Sequence, residues 1–138
     1  MTSTIAENEF GQIKKASVNS HISTLEIIHK TCTARVSLYG GQVLAWQPAD
    51  QQPVFWLSDK AIFEEGTAIR GGVPLCWPWF GPYQALNGET AGNHGFARQR
   101  TWKVDEVVIS KDNVKVILSL SGMNEHKLWS AQYQLKQD

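Results

Sequence analysis

The chain has 138 residues, 42% of them hydrophobic and 19% charged, which suits one globular domain that buries a core without staples and excludes a disordered polymer. Thirteen basic and thirteen acidic side chains cancel, so no global field draws nucleic acid or an anionic membrane, and any bound anion must meet a local cluster. Cys32 and Cys76 have no spacing that argues for a bridge, and they read as reduced, buried thiols of a cytoplasmic protein.

The N-terminal residues 1–9 are acidic and lack an apolar run, unlike a secretory signal. No stretch approaches the roughly 18 apolar residues of a membrane helix. Residues 21–28 read as an early strand, joined to the next by His29-Lys30. In 31–39, Cys32, Ala34, Val36 and Leu38 alternate with polar residues, the period of a half-buried strand that ends at a Gly40-Gly41 turn. Residues 42–47 are its hairpin partner. After the polar turn 48–53, residues 54–57 form a further short strand, and 58–63 a turn or two of helix. Later, 102–109 and 114–120 make a meander hairpin about Lys111-Asp112-Asn113, with Val114, Val116, Leu118 and Leu120 on one face. Residues 124–130 are a second short helical candidate. Tyr133, Leu135 and Gln137 begin another alternation that runs to the end, as of a strand cut in progress. Many short strands with polar turns imply an all-β sandwich or barrel. Trp46, Trp56, Trp102 and Trp129 lie on strand-like segments and are expected in the core.

One segment breaks the pattern. Residues 64–100 hold seven of the eleven glycines and three of the five prolines, and a loop this long in a compact domain is usually functional. In Arg70-Gly71-Gly72 the glycines allow close backbone approach and the arginine offers a planar fork for phosphate or vicinal hydroxyls; the plain alternative is an ion pair with Glu64 or Glu65. Asn93-His94-Gly95-Phe96-Ala97-Arg98 gathers an amide, an imidazole and a fixed positive charge around a bend. Trp77, Trp79, Phe80 and Tyr83 suit the apolar faces of sugars; the plain alternative is core packing behind the loop, which is preferred for Trp77 between Cys76 and Pro78. The four histidines are scattered without ligand spacing, so no metal site is expected, and P-loop, dinucleotide and serine-nucleophile motifs are absent.

The run from Arg70-Gly71-Gly72-Val73-Pro74 to Gly81, followed by His94-Gly95-Phe96-Ala97-Arg98 and Trp102, resembles the hexose-6-phosphate mutarotases. These are also called glucose-6-phosphate 1-epimerases, of the galactose mutarotase-like, or aldose 1-epimerase, superfamily. Residues 39–46 are similar to the family's early hairpin, and the resemblance spans roughly Thr24 to the C-terminus. It implies an antiparallel β-sandwich, of which this chain is an incomplete N-terminal portion. It also implies interconversion of the α and β anomers of an aldohexose 6-phosphate without a cofactor. A base takes the anomeric hydroxyl proton, an acid protonates the ring oxygen, the ring opens, and it closes on the other face. By the same resemblance Arg70 and Arg98 are substrate-binding arginines suited to phosphate. Asn93 stands where a relative often carries Gln, and His94 contacts the sugar. The catalytic histidine and glutamate are expected beyond Asp138, with Glu89, Glu106 and Glu125 on the surface. The implied partner is a hexose 6-phosphate, with no nucleic acid or membrane, and uncovered strand edges imply self-association. The alternative is a non-catalytic sugar-phosphate-binding β-domain; a structural β-domain without a ligand is a third reading.

Overall fold

The computed structural model describes residues 1–84, 88, 90–123 and 132–137. Five strands run as an antiparallel meander in chain order: β1 (Thr2–Asn8), β2 (Gly11–Ser17), β3 (Ser23–His29), β4 (Cys32–Ser37) and β5 (Gln42–Pro48). Two-residue strands β6 (Tyr83–Gln84) and β7 (Thr90–Ala91) pair within the loop, and a 3-10 turn covers Ala97–Gln99. The second sheet has the order β10-β9-β8, from β8 (Lys103–Ile109), β9 (Val114–Met123) and β10 (Gln132–Gln137).

The period-two alternation sets the core. Ile13, Leu25, Ile27 and Val36 from the first sheet, with Leu38 just after β4, meet Leu118 and Leu120 from the second, and Ala97 and Trp102 join the same cluster. Burying each large aliphatic side chain contributes about 1.5–3 kcal/mol, and a face-to-face sandwich of antiparallel sheets results. The hairpin ends are also joined. Asn8 Nδ2 donates to the Ile109 carbonyl at 2.8 Å. Buried His29 takes the Thr31 N–H on Nδ1 and donates from Nε2 to the Ser110 carbonyl, at 3.2 and 2.8 Å. A smaller cluster of Ile22, Tyr39, Leu44 and Ile69 supports the start of the long loop.

The strands expected at 21–28, 31–39, 42–47, 102–109 and 114–120 are present with shifted ends, and the alternation from Tyr133 onward falls within β10. Residues 54–57 do not form a strand. Pro53 supplies no N–H, and only Leu57 makes an isolated bridge, to Gly71. Residues 58–63 are not helical. Ser58 closes a single turn, its carbonyl accepting the Ala61 N–H at 3.0 Å and its hydroxyl the Lys60 N–H at 3.2 Å, a local alternative to helix. Residues 124–130, and Trp129 with them, lie outside the described residues, as do Glu89 and Glu125; Glu106 is exposed. Trp102 is buried as expected, but Trp46 and Trp56 are exposed. Trp46 stands on the edge strand β5 opposite Ala34, with Phe55 as its aromatic neighbour, while Trp56 uses its carbonyl to hold the Gly72 N–H at 2.7 Å. Both cysteines are free, and both are half-buried where full burial was expected. Among the described residues no helix is long and apolar enough to cross a membrane.

Candidate functional site

The loop between β5 and β8 is held in two places. Its first half docks on β5: the Val73 N–H donates to the Val43 carbonyl at 2.8 Å, and a Cβ at Gly72 would overlap that same carbonyl, so the approach needs glycine. Gln42, fully buried, donates from Nε2 to the carbonyls of Ile69 and Gly71. Those two residues flank Arg70, so the Gln42 amide fixes the backbone on either side of an exposed guanidinium. No acid pairs with Arg70 among the described residues; Glu65 instead lies 3.8 Å from His21. Gln42 was not singled out from the sequence. Its one signal is an amide at an inward strand position just after Gly40-Gly41.

The second half folds back on itself. The Trp77 carbonyl accepts the N–H groups of Phe96 and Ala97 at 2.9 and 3.1 Å, and the Trp79 indole donates to the Gly92 carbonyl at 2.8 Å. Gly81 and His94 bond reciprocally: the His94 N–H donates to the Gly81 carbonyl, and the Gly81 N–H donates to His94 Nδ1, each at 2.9 Å. A backbone N–H can only donate, so Nδ1 is an acceptor and the neutral ring carries its proton on Nε2. Among the described residues Nε2 has no protein partner. His94 has φ 65°, a left-handed conformation stabilised by this pairing.

Arg98 lies on the 3-10 turn, and its Nη2 donates to the Asn93 carbonyl at 2.8 Å. Its Nε is buried without a partner among the described residues. The Asn93 side chain is exposed and His94 half-buried. Arg98 is thus tied to the backbone at Asn93, next in sequence to His94. Arg70 is not bonded to them; the two loop halves connect through Gln99, which donates to the Gly66 carbonyl at 2.8 Å, and through Tyr39, whose hydroxyl accepts the Gly66 N–H at 2.7 Å and whose backbone bridges to Thr101. Burial of Tyr39 pushes its phenol above the ordinary value; the Gly66 N–H pulls it back, Glu65 adds a smaller rise, and Arg100 and Arg98 smaller falls. Trp77 and Trp79 pack edge-on against Phe96, and Trp79 also meets Tyr83 at 4.9 Å between centroids. Trp77 is therefore a packing residue. No group of three His, Cys, Asp or Glu gathers among the described residues. This half of the loop carries an N–H donor on His94 Nε2, the exposed Asn93 amide and the Arg98 guanidinium, groups of a kind that suits a polyhydroxylated anion.

A family model described as "Aldose 1-epimerase" matches residues 23–138, starting where β3 starts. A protein of Escherichia coli strain K12 named "Putative glucose-6-phosphate 1-epimerase" is 38% identical over 115 residues, which cover 83% of this chain and 38% of that protein. A protein of Cenchrus ciliaris with the same name is 45% identical over 76 residues, 55% of this chain and 22% of that one. The solved structure of "a putative mutarotase" from Salmonella typhimurium superposes with a TM-score of 0.79 at 28% identity, covering 97% of this chain and 44% of that one. The chain therefore spans less than half the length of the relatives it matches.

Proposed function

The chain belongs to the aldose 1-epimerase family, and on that footing we propose that it supplies the substrate-binding portion of a sugar epimerase acting on an aldohexose 6-phosphate. The observation that carries the reading is the bond that ties the Arg98 guanidinium to the backbone at Asn93, next to His94, whose tautomer is set so that Nε2–H points away from its backbone partner. In this reading His94 and Asn93 hold sugar hydroxyls, and Arg98 takes the phosphate by charge-assisted hydrogen bonds. Arg70, fixed by Gln42, adds a second guanidinium from the first half of the loop. A chain without net charge needs such a local cluster to hold an anion. The proton-transfer histidine and glutamate are assigned to the length of the relatives that this chain does not span.

The test combines calorimetry with anomer-exchange NMR on glucose 6-phosphate. Saturable binding with exchange at the solvent rate is expected of this chain. Exchange above background would overturn the assignment of the proton-transfer groups elsewhere, and no binding would overturn the reading as a whole. Arg98→Ala is expected to weaken binding of glucose 6-phosphate by about tenfold or more while changing glucose binding little. Equal losses for both sugars would contradict the phosphate role.

A further inference from the structure

Of the four aromatic side chains between residues 77 and 83, three are half-buried and engaged with one another or with Phe96. The fourth, Phe80, is 81% exposed. Singly exposed apolar side chains are ordinary on protein surfaces, and what distinguishes Phe80 is its setting. It is not loosely held. The next residue, Gly81, is bonded to His94 through both its N–H and its carbonyl. The Phe80 ring itself rests against the imidazole, with centroids 4.7 Å apart and planes tilted by 58°. The flat apolar face of Phe80 therefore lies against an imidazole of fixed tautomer, and the residue before that imidazole, Asn93, holds the Arg98 guanidinium through its carbonyl.

From this juxtaposition, and resting on the sugar-phosphate reading above, we propose that Phe80 is the stacking platform for the pyranose ring and the residue that makes the site select a cyclic sugar phosphate over phosphate alone. A pyranose has a face of C–H groups and an edge of hydroxyls. The first matches the negative face of the Phe80 ring, and the second the neighbouring His94 Nε2–H. Inorganic phosphate has neither face nor edge, and uses the arginines alone.

Calorimetry on the full chain with glucose 6-phosphate and with inorganic phosphate, for the wild type, Phe80→Ala and Phe80→Trp, tests this. Phe80→Ala is expected to weaken glucose 6-phosphate binding about tenfold. Phe80→Trp should retain it, and all three proteins should bind inorganic phosphate alike. Because the side chain is exposed, the thermal midpoints of the three should agree within a few degrees. Phe80→Ala that binds glucose 6-phosphate as the wild type does overturns the proposal, as does an equal loss of inorganic phosphate. A wild type that binds no glucose 6-phosphate overturns instead the reading beneath it, a failure that shows itself before residue 80 is changed.

Discussion

A side chain at position 95 would have no room. Gly95 has φ 68°, and a Cβ there would overlap the Trp77 carbonyl, the group that already accepts the Phe96 and Ala97 N–H bonds. Gly95→Ala is expected to cost about 2–4 kcal/mol and to lower the thermal midpoint by roughly 10 °C, as read by circular dichroism. Tyr39 gives a prediction in pH. Its folded phenol ionises above the ordinary value because it is buried. An unfolded phenol ionises near pH 10, so the contribution is fully present below about pH 10 and lost as pH rises further. Urea unfolding should therefore show the wild type losing stability above about pH 10 more steeply than Tyr39→Phe, and parallel curves would contradict the linkage. At this scale the sequence is uneven as a guide. Asn93, His94 and Arg98 stand within six positions, so their grouping is legible. The pairing that fixes the His94 ring is not, because Gly81 lies thirteen residues away and meets it only once the loop has closed.

Between elements, His29 links the β3–β4 turn to the β8–β9 turn. His29→Ala would leave the Ser110 carbonyl and the Thr31 N–H without this partner and open a void between the hairpins. A loss of about 2–3 kcal/mol in urea unfolding is expected, whereas a change within 0.5 kcal/mol would mean that water replaces the imidazole at no cost. The strands that can be read from the sequence are those with apolar residues at every second position, such as β4 and β9. The β1–β2 hairpin was not anticipated. Thr2–Asn8 offers only Ile5 and Ala6 as apolar residues, and Gly11–Ser17 only Ile13 and Ala16. Pairing across Ile13↔Ile27 gives β2 its place, a tertiary cause that local periodicity does not carry. The reverse error occurs at 54–57, where apolar composition suggests a strand but no continuous partner lies alongside.

For the whole molecule, the exposed apolar groups are unevenly spread. Trp46 on β5 and its neighbour Val54 are exposed, although Val54 and Val73 cover part of that edge by donating to the Trp46 and Val43 carbonyls, while Ile5 and the rest of β1 form the opposite edge with mostly exposed residues. Exposed edges and apolar patches favour pairing between chains. Sedimentation velocity over a concentration series is expected to show association that grows with concentration; a single monomeric species throughout would refute it. The meander of the first sheet has a separate consequence, for how the chain reaches its structure. Each of its four strand pairs joins neighbours in sequence, so each closes only a short loop. The two sheets meet through contacts such as Asn8 with Ile109 and His29 with Ser110, 101 and 81 residues apart. Hairpins of the first kind form in microseconds, whereas contacts of the second kind must await the closing of long loops. The contacts between the two sheets are therefore expected to form later than the hairpins, an order that φ-value measurements would check. Substitutions at the hairpin-end links should act mainly on that later step.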